Sequence, residues 1–162
     1  MIVLGIDPGM AILGYGVIEQ KGHKMDVVDY GTVLTDSGMK MPDRLVRIFD
    51  GVEELIQRFK PDVVSVEELF FNKNSKTALT IGHARGVAIL TAAKNKLEIY
   101  EYTPLQVKQA VVGYGRAEKA QIQQMVKILL NLKEIPKPDD AADALAVAIC
   151  HIHNSNMIGR LG

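Results

Sequence analysis

The chain lacks the features that mark several classes of protein. It has one cysteine, Cys150, so no disulfide can form within the chain. This fits a reducing compartment, and the cytoplasm is the expected location. No apolar run is long enough to cross a bilayer, and the first residues lack the basic and apolar regions of a signal peptide. We therefore expect a protein that does not associate with membranes.

The chain also has no net charge, because 19 Lys and Arg balance 19 Asp and Glu. This balance argues against a protein that binds polyanions through bulk charge. The charge is nevertheless uneven along the chain. Residues 69–119 carry a net charge of +5, because three glutamates oppose Lys73, Lys76, Arg85, Lys94, Lys96, Lys108, Arg116 and Lys119. The segment indicates either one basic face or a solvated surface of uneven charge.

What the chain does contain is an alternation typical of an α/β domain. Its 162 residues are 48% hydrophobic and 23% charged, enough for one globular domain with a substantial core. Hydrophobic periodicity predicts strands at 2–7, 13–20, 25–35, 62–67 and 98–102, and helices at 42–60, 75–95, from 103, at 117–131 and at 139–153. The first three strands form an antiparallel meander. The crossover helices that follow place the fourth and fifth strands parallel to the first, in a mixed five-stranded sheet.

Acidic residues stand at the ends of two of these strands. Asp7 ends the first strand, and Glu67 and Glu68 end the fourth. If the two strands are parallel neighbours, the acids project from the sheet edge at which open α/β folds bind ligands. Asp140 and Asp143 are three residues apart on one face of the last helix. The pattern predicts a cluster of carboxylates without matching cations.

Divalent cations would relieve the repulsion within such a cluster. Oxygen donors suit Mg²⁺ or Mn²⁺, and two ions about 3.5–4 Å apart can promote phosphodiester hydrolysis. The scattered histidines and the single cysteine lack the spacing of a zinc site. Simpler explanations stay open at this point: Asp7 could hydrogen-bond the Pro8–Gly9 turn, and the acids at 139–143 could serve the helix N-terminus, with Asp139 as its N-cap.

Other motifs are absent or ambiguous. The chain has no P-loop, no complete dinucleotide fingerprint around Gly14 and Gly16, and no serine in a nucleophile elbow. Phe70 and Phe71 precede a polar stretch, where an aromatic could stack on a base for about 1–3 kcal/mol or simply pack beneath the loop. The helix at 75–95 is rich in small residues, which permit either dimerisation or tight packing on the sheet.

Six segments, in this order and at these spacings, resemble the RuvC family of bacterial Holliday-junction resolvases: GIDPG (5–9), GYGVIE (14–19), VEELFFNKN (66–74), GHARGVAI (82–89), QVKQAVVGYGRAEKAQIQQMV (106–126) and DAADALAVAI (140–149). The resemblance covers about residues 1–155. It implies an RNase H-like nuclease domain over 1–155, followed by a short C-terminal tail at 156–162.

The resemblance also implies an activity. It is the paired, symmetric nicking of four-way DNA junctions in recombination and repair, by a homodimer that uses two Mg²⁺ ions per active site, with Mn²⁺ as a substitute. The branch-migration complex RuvA–RuvB is the expected partner. Matching residue by residue, the resemblance implies that Asp7, Glu67, Asp140 and Asp143 are catalytic and bind metal, and that Glu68 points to the opposite face of the sheet.

The resemblance further suggests how DNA is bound. Phe70 matches an aromatic that inserts at the junction centre, and Lys108 and Lys119 match basic residues near the active site. The other basic residues that we expect to bind DNA are Lys73, Lys76, Arg85 and Arg116.

Three rival functions are consistent with parts of the sequence. A smaller RNase H-like family that trims ribosomal RNA precursors also begins with a GIDPG-like motif, but we do not expect the DAADALA helix there. Actin-like ATPases begin with a similar β-hairpin but need two such domains. A module that binds branched DNA without cutting it would not need four carboxylates.

Overall fold

The structure is a computed structural model that describes residues 1–68 and 75–161, with side chains of the last helix described to residue 155. Its five strands form one sheet in the order β3-β2-β1-β4-β5. The strands are β1 (Ile2–Asp7), β2 (Ile12–Lys21), β3 (Lys24–Leu34), β4 (Val63–Glu67) and β5 (Glu98–Tyr102). The first three are antiparallel, and β4 and β5 run parallel to β1, so the predicted mixed sheet is confirmed.

Five helices connect and cover the sheet: α1 (Met41–Phe59), α2 (Ser75–Lys94), α3 (Pro104–Val112), α4 (Lys119–Leu129) and α5 (Asp139–Leu161). The last helix continues to Leu161, beyond the predicted end at residue 153. Helix α3 begins as its sequence predicts, because the Thr103 hydroxyl accepts a hydrogen bond from the Gln106 N–H and Pro104 occupies the first turn. No helix in the described part of the chain is long and apolar enough to span a membrane.

Alternating side chains of the sheet build two separate cores. From β1, Leu4 and Ile6 lie in the core beneath α1 and α2, together with Ile48 and Val52 of α1. Val3, on the other face, belongs to the core beneath α3, α4 and α5. Because Gly5 and Asp7 share the face of Val3, the alternation directs the carboxylate of Asp7 toward α5.

Glycines on β1 and β2 let α5 lie directly on the sheet. A Cβ at Gly5 would lie 2.1 Å from the carbonyl oxygen of Ala144, and one at Gly14 would lie 2.0 Å from the carbonyl oxygen of Asp140. A Cβ at Gly16 would lie 2.6 Å from the Leu145 side chain. No residue with a side chain fits these contacts without a shift, so the glycines set the distance between the sheet and the first turns of α5.

Candidate active site

The carboxylates of Asp7 and Glu67 lie side by side at the carboxyl edge of the sheet. In the parallel pairing of β1 with β4, Ile6 is opposite Val66, so the residues that follow them are neighbours. Ser65, two residues before Glu67, donates a hydrogen bond of 2.8 Å from its Oγ to the carbonyl oxygen of Val147 on α5. This bond shows that the alternate residues of β4, Glu67 included, face α5.

Helix α5 brings two further carboxylates to the same place. Asp140 packs on β2, where a Cβ at Gly14 would lie 3.0 Å from the Cβ of Asp140. Gly14 is itself the register partner of Asp7. Asp143 lies one turn further along α5. The four residues that the sequence predicts for the site are therefore assembled from β1, β4 and the first turns of α5.

The pKa of Asp7 reflects its burial and its proximity to the other carboxylates. Burial, followed by the charges of Asp143, Asp140 and Glu67, raises the pKa of Asp7 to about 8, against an ordinary value of 3.8. Lys119 opposes the shift. Among the described residues, the Asp7 carboxylate accepts no hydrogen bond from the Pro8–Gly9 turn, so the turn does not explain this aspartate.

Glu67 and Asp143 experience the same effects in a weaker form. Burial and then the Asp143 charge raise the pKa of Glu67, while Lys108 lowers it. Burial raises the pKa of Asp143 also, with Lys119 as the main opposing group. Two lysines thus partly compensate for three half-buried carboxylates.

These lysines belong to a cavity on the α5 face of the sheet edge. The cavity measures about 230 Å³, and its polar lining consists of Glu67, Lys108, Lys119 and Asp143. Cations and carboxylates that line one open cleft could receive a phosphate group while the carboxylates hold a cation beside it. Of the candidate DNA-binding residues that the structure describes, Lys108 and Lys119 are the ones that line this cavity.

A second cavity opens on the other face of the same edge. Asp7, Glu67, Glu68 and Arg85 are among its lining residues, and its volume is about 210 Å³. Asp7 and Glu68 line this cavity and not the lysine-lined one, whereas Glu67 lines both. The backbone N–H of Glu68 extends the β4–β5 ladder by donating to the carbonyl oxygen of Tyr102 over 2.7 Å.

The other predicted DNA-binding residues are dispersed. Arg85 is largely internal, with its side chain 17% exposed and its Nη2 atom 2.6 Å from Glu101 Oε1. Lys76, in the first turn of α2, and Arg116, before α4, are exposed. Phe70 and Lys73 lie outside the described residues. The net charge of +5 over residues 69–119 therefore does not describe a single basic face. It includes an ion-paired arginine of the interior as well as exposed cations.

Asp139 does not have the position that its sequence context predicts. It is the first residue of α5 and not its N-cap. Its Oδ2 atom lies 3.3 Å from the Lys119 Nζ, and its Oδ1 atom accepts a hydrogen bond of 3.1 Å from the Gln123 Nε2. Asp139 thus contacts α4 and does not cap the N-terminus of α5.

The carboxylates have the chemistry of a metal site, but their oxygens do not converge in this conformation. All four side chains offer hard oxygen donors, which suit Mg²⁺ or Mn²⁺. Within the described ranges, no group of three or more His, Cys, Asp or Glu side chains is arranged to hold a metal ion. Burial and the neighbouring carboxylate charges raise the pKa of Asp7, and a cation would favour its charged form. The donor set therefore fits a metal ion, and the side chains would need to rotate to bring their oxygens together.

Two features of the site are not among those predicted from the sequence. The glycines at 5, 14 and 16 alternate on two strands, and 140–148 is rich in alanine; together these patterns are typical of a helix packed closely on a sheet. The contacts of Asp139 had no such signal, because they depend on where α4 and α5 meet.

Taken together, the fold and its edge cluster define an α/β domain with an acidic, RNase H-like site beside a lysine-lined cleft. Comparison with known proteins narrows this class. Residues 3–151 match the family of crossover junction endodeoxyribonuclease RuvC. The chain is 62% identical over 162 residues to that protein from Caldanaerobacter subterraneus, covering 98% of the relative, and 64% identical over 161 residues to that from Ruminiclostridium cellulolyticum, covering 96%.

The chain therefore belongs to the RuvC family of crossover junction endodeoxyribonucleases, and the resemblance seen in its motifs is confirmed. A solved structure of Thermus thermophilus RuvC in complex with a Holliday junction superposes with a TM-score of 0.92 at 40% identity, over 97% of this chain and 96% of the other. The yeast mitochondrial resolvase Ydc2 shares the fold, with a TM-score of 0.72 at 15% identity.

Proposed function

We propose that this protein resolves four-way DNA junctions by paired, symmetric nicks in recombination and repair. The observation that carries the proposal is the assembly of Asp7, Glu67, Asp140 and Asp143 beside a cavity lined by Lys108 and Lys119. Its relatives are crossover junction endodeoxyribonucleases, and one of them has been solved on a Holliday junction. Membership of this family speaks against both the RNA-trimming and the ATPase alternatives.

We assign the reaction to hydrolysis supported by divalent cations, with Mg²⁺ as the ion, Mn²⁺ as a substitute, and two ions per site. Asp7, Glu67, Asp140 and Asp143 are the residues that would hold them. Bound ions supply an activated water and stabilise the leaving oxygen of the phosphodiester. Burial and the neighbouring carboxylates raise the pKa of Asp7 to about 8, which supports this assignment because a bound cation would favour the charged form of Asp7.

The lysines bind and orient the scissile strand. Lys108 and Lys119 line the same cavity as Glu67 and Asp143, so a phosphate that pairs with both ammonium groups lies next to the carboxylates. Lys73, Lys76, Arg85, Arg116 and the aromatic Phe70 complete the proposed DNA-binding set. Arg85 is proposed to support this set without a phosphate contact of its own, since it already pairs with Glu101.

Two active sites are needed for paired nicks, and we propose a homodimer. Helix α2 supports this proposal because its two sides differ. Ala84, Ala88 and Ala92 are buried against the domain, whereas Leu79 and Leu90 are 65% and 55% exposed. Small residues thus serve packing on the domain, and large apolar ones are left for a second subunit.

Three further proposals concern the domain bounds, the cellular location and the partner. We propose that the nuclease domain comprises residues 1–155 with a tail at 156–162, that the protein acts in the cytoplasm, and that the RuvA–RuvB complex is its partner.

One gel tests the proposed function. A synthetic four-way junction and a linear duplex of the same sequence are incubated with the protein, with and without Mg²⁺. We expect symmetric nicks in the junction only, with ends that ligase seals, and only with the divalent ion present. Equal cutting of the duplex, cutting without divalent ions, or binding of the junction without cutting would each contradict the proposal.

A further inference from the structure

We infer that Asp139 is a positioning residue, which holds the Lys119 ammonium group over the lysine-lined cavity. The inference rests on the proposed function and adds to it a residue outside the four carboxylates. It begins from a contact between two helices: Lys119 Nζ lies 3.3 Å from Asp139 Oδ2 and 3.8 Å from Asp143 Oδ2. One ammonium group is thus shared by two carboxylates, one turn apart on α5.

The location of Lys119 requires such a partner. Lys119 is the first residue of α4, where the unpaired N–H groups of the helix disfavour a positive charge. A lysine side chain with 57% exposure also has many rotamers in water. Neither the helix nor burial therefore directs the ammonium group toward the cavity, and the carboxylates on α5 do.

A hydrogen bond from Gln123 restrains the Asp139 carboxylate. Gln123 lies one turn after Lys119 on α4, and its Nε2 atom donates a hydrogen bond of 3.1 Å to Asp139 Oδ1. Both oxygens of the carboxylate are therefore engaged by the same face of α4. This arrangement fixes the orientation of Asp139 and, through it, the position of Lys119.

Asp143 cannot fill this role alone. It is one of the four proposed metal ligands, and a bound cation would compete with Lys119 for its oxygens. Asp139 pairs with Lys119 without belonging to that set. The ammonium group can then stay beside the cavity while Asp143 holds a cation.

Positioning and simple neutralisation predict opposite results when Asp139 is removed. If the carboxylate only cancels the charge of Lys119, its loss strengthens DNA binding and leaves the cleavage rate unchanged or raised. If it positions Lys119, its loss slows the reaction of bound DNA although the net charge becomes more favourable for binding.

The experiment compares Asp139→Ala with the wild type by single-turnover cleavage at saturating junction DNA, and by junction affinity at the same salt concentration. We expect a rate about two- to fivefold lower, the size of an exposed ion pair, with affinity unchanged or tighter. Asp139→Asn, which keeps the shape but not the charge, should show the same loss. Glu134→Ala, another exposed acid near α5, is the matched control and should cut at the wild-type rate.

A second measurement tests the route through Gln123. Gln123→Ala should slow cleavage less than Asp139→Ala, and the double variant should be no slower than Asp139→Ala alone. A wild-type rate for both Asp139 variants, or effects of Gln123→Ala and Asp139→Ala that multiply, would overturn the inference. Those results leave the proposed function intact, whereas a wild-type protein that does not cut junctions would refute the proposed function itself.

Discussion

The two faces of the sheet bury apolar residues in different ways, and only one of them builds the site. Beneath α1, strand residues such as Leu4, Ile6 and Leu13 share a core with Ile48 and Val52, so large side chains separate this helix from the sheet. Beneath α5, Gly5 and Gly14 lie almost against the helix backbone. The large residues contribute hydrophobic stabilisation. The glycines allow α5 to approach the sheet closely, which places Asp140 and Asp143 near Asp7.

The sharpest test of this difference uses two adjacent glutamates. Glu67 lines both cavities and so reaches the lysine-lined one, whereas Glu68 lines only the cavity that Arg85 of α2 also lines. We expect Glu67→Gln to lower single-turnover junction cleavage by at least about 10²–10³-fold, the cost of a lost transition-state stabiliser, with junction binding retained. Glu68→Gln should be much milder. The reverse order would show that the carboxylates of the α5 face are not the reactive ones.

The glycine contacts predict a smaller, mixed effect. Gly14→Ala puts a Cβ 2.0 Å from the Asp140 carbonyl oxygen, so α5 must shift. We expect a loss of about 1–3 kcal/mol in the free energy of unfolding, typical of overpacking, together with slower cleavage. Urea denaturation and the cleavage assay measure the two effects. Gly38→Ala, whose nearest neighbour is 3.6 Å away, is the control. A stable, fully active Gly14→Ala protein would contradict the close-packing explanation.

Stability of the metal-free protein should depend on pH through the same carboxylates. Between pH 3.8 and about 8, Asp7 is charged in the unfolded chain but keeps its proton when folded. The folded state therefore binds more protons, and the free energy of unfolding should fall as pH rises through this range, by at most about 1.4 kcal/mol per pH unit. Asp7→Asn should flatten the dependence in urea titrations without divalent ions. An identical slope in the variant would disprove the assignment.

The smallest expected effect separates two cations on opposite faces. Lys108→Ala removes a charge from the lysine-lined cavity and should reduce the salt dependence of junction binding by roughly one phosphate contact. Arg85→Ala breaks the pair with Glu101 and should lower thermal stability while leaving the salt dependence unchanged. Fluorescence titrations at several salt concentrations give both slopes. A reduced slope for Arg85→Ala would show that this arginine contacts DNA directly.

Local sequence determined much of this architecture. The β-meander, the amphipathic α1 and the Thr103–Pro104 start of α3 follow from short-range patterns, because propensity and capping act within a few residues. Parallel pairing of β1 with β4 then follows from the order of elements, and it places Asp7 and Glu67 at one edge. Six motifs in order were enough to identify the family.

Contacts between segments distant in the sequence could not be predicted from such local patterns. The aspartate at 139 looked like an N-cap, and the arginine at 85 looked like part of a basic surface, because the sequence shows neither Lys119 and Gln123 facing the one nor Glu101 beside the other. Only the packing of α5 onto the glycines of β1 and β2 decided which acids meet, since a Cβ at Gly5 or Gly14 would lie 2.1 or 2.0 Å from a carbonyl oxygen of α5 and would push the helix away from the sheet.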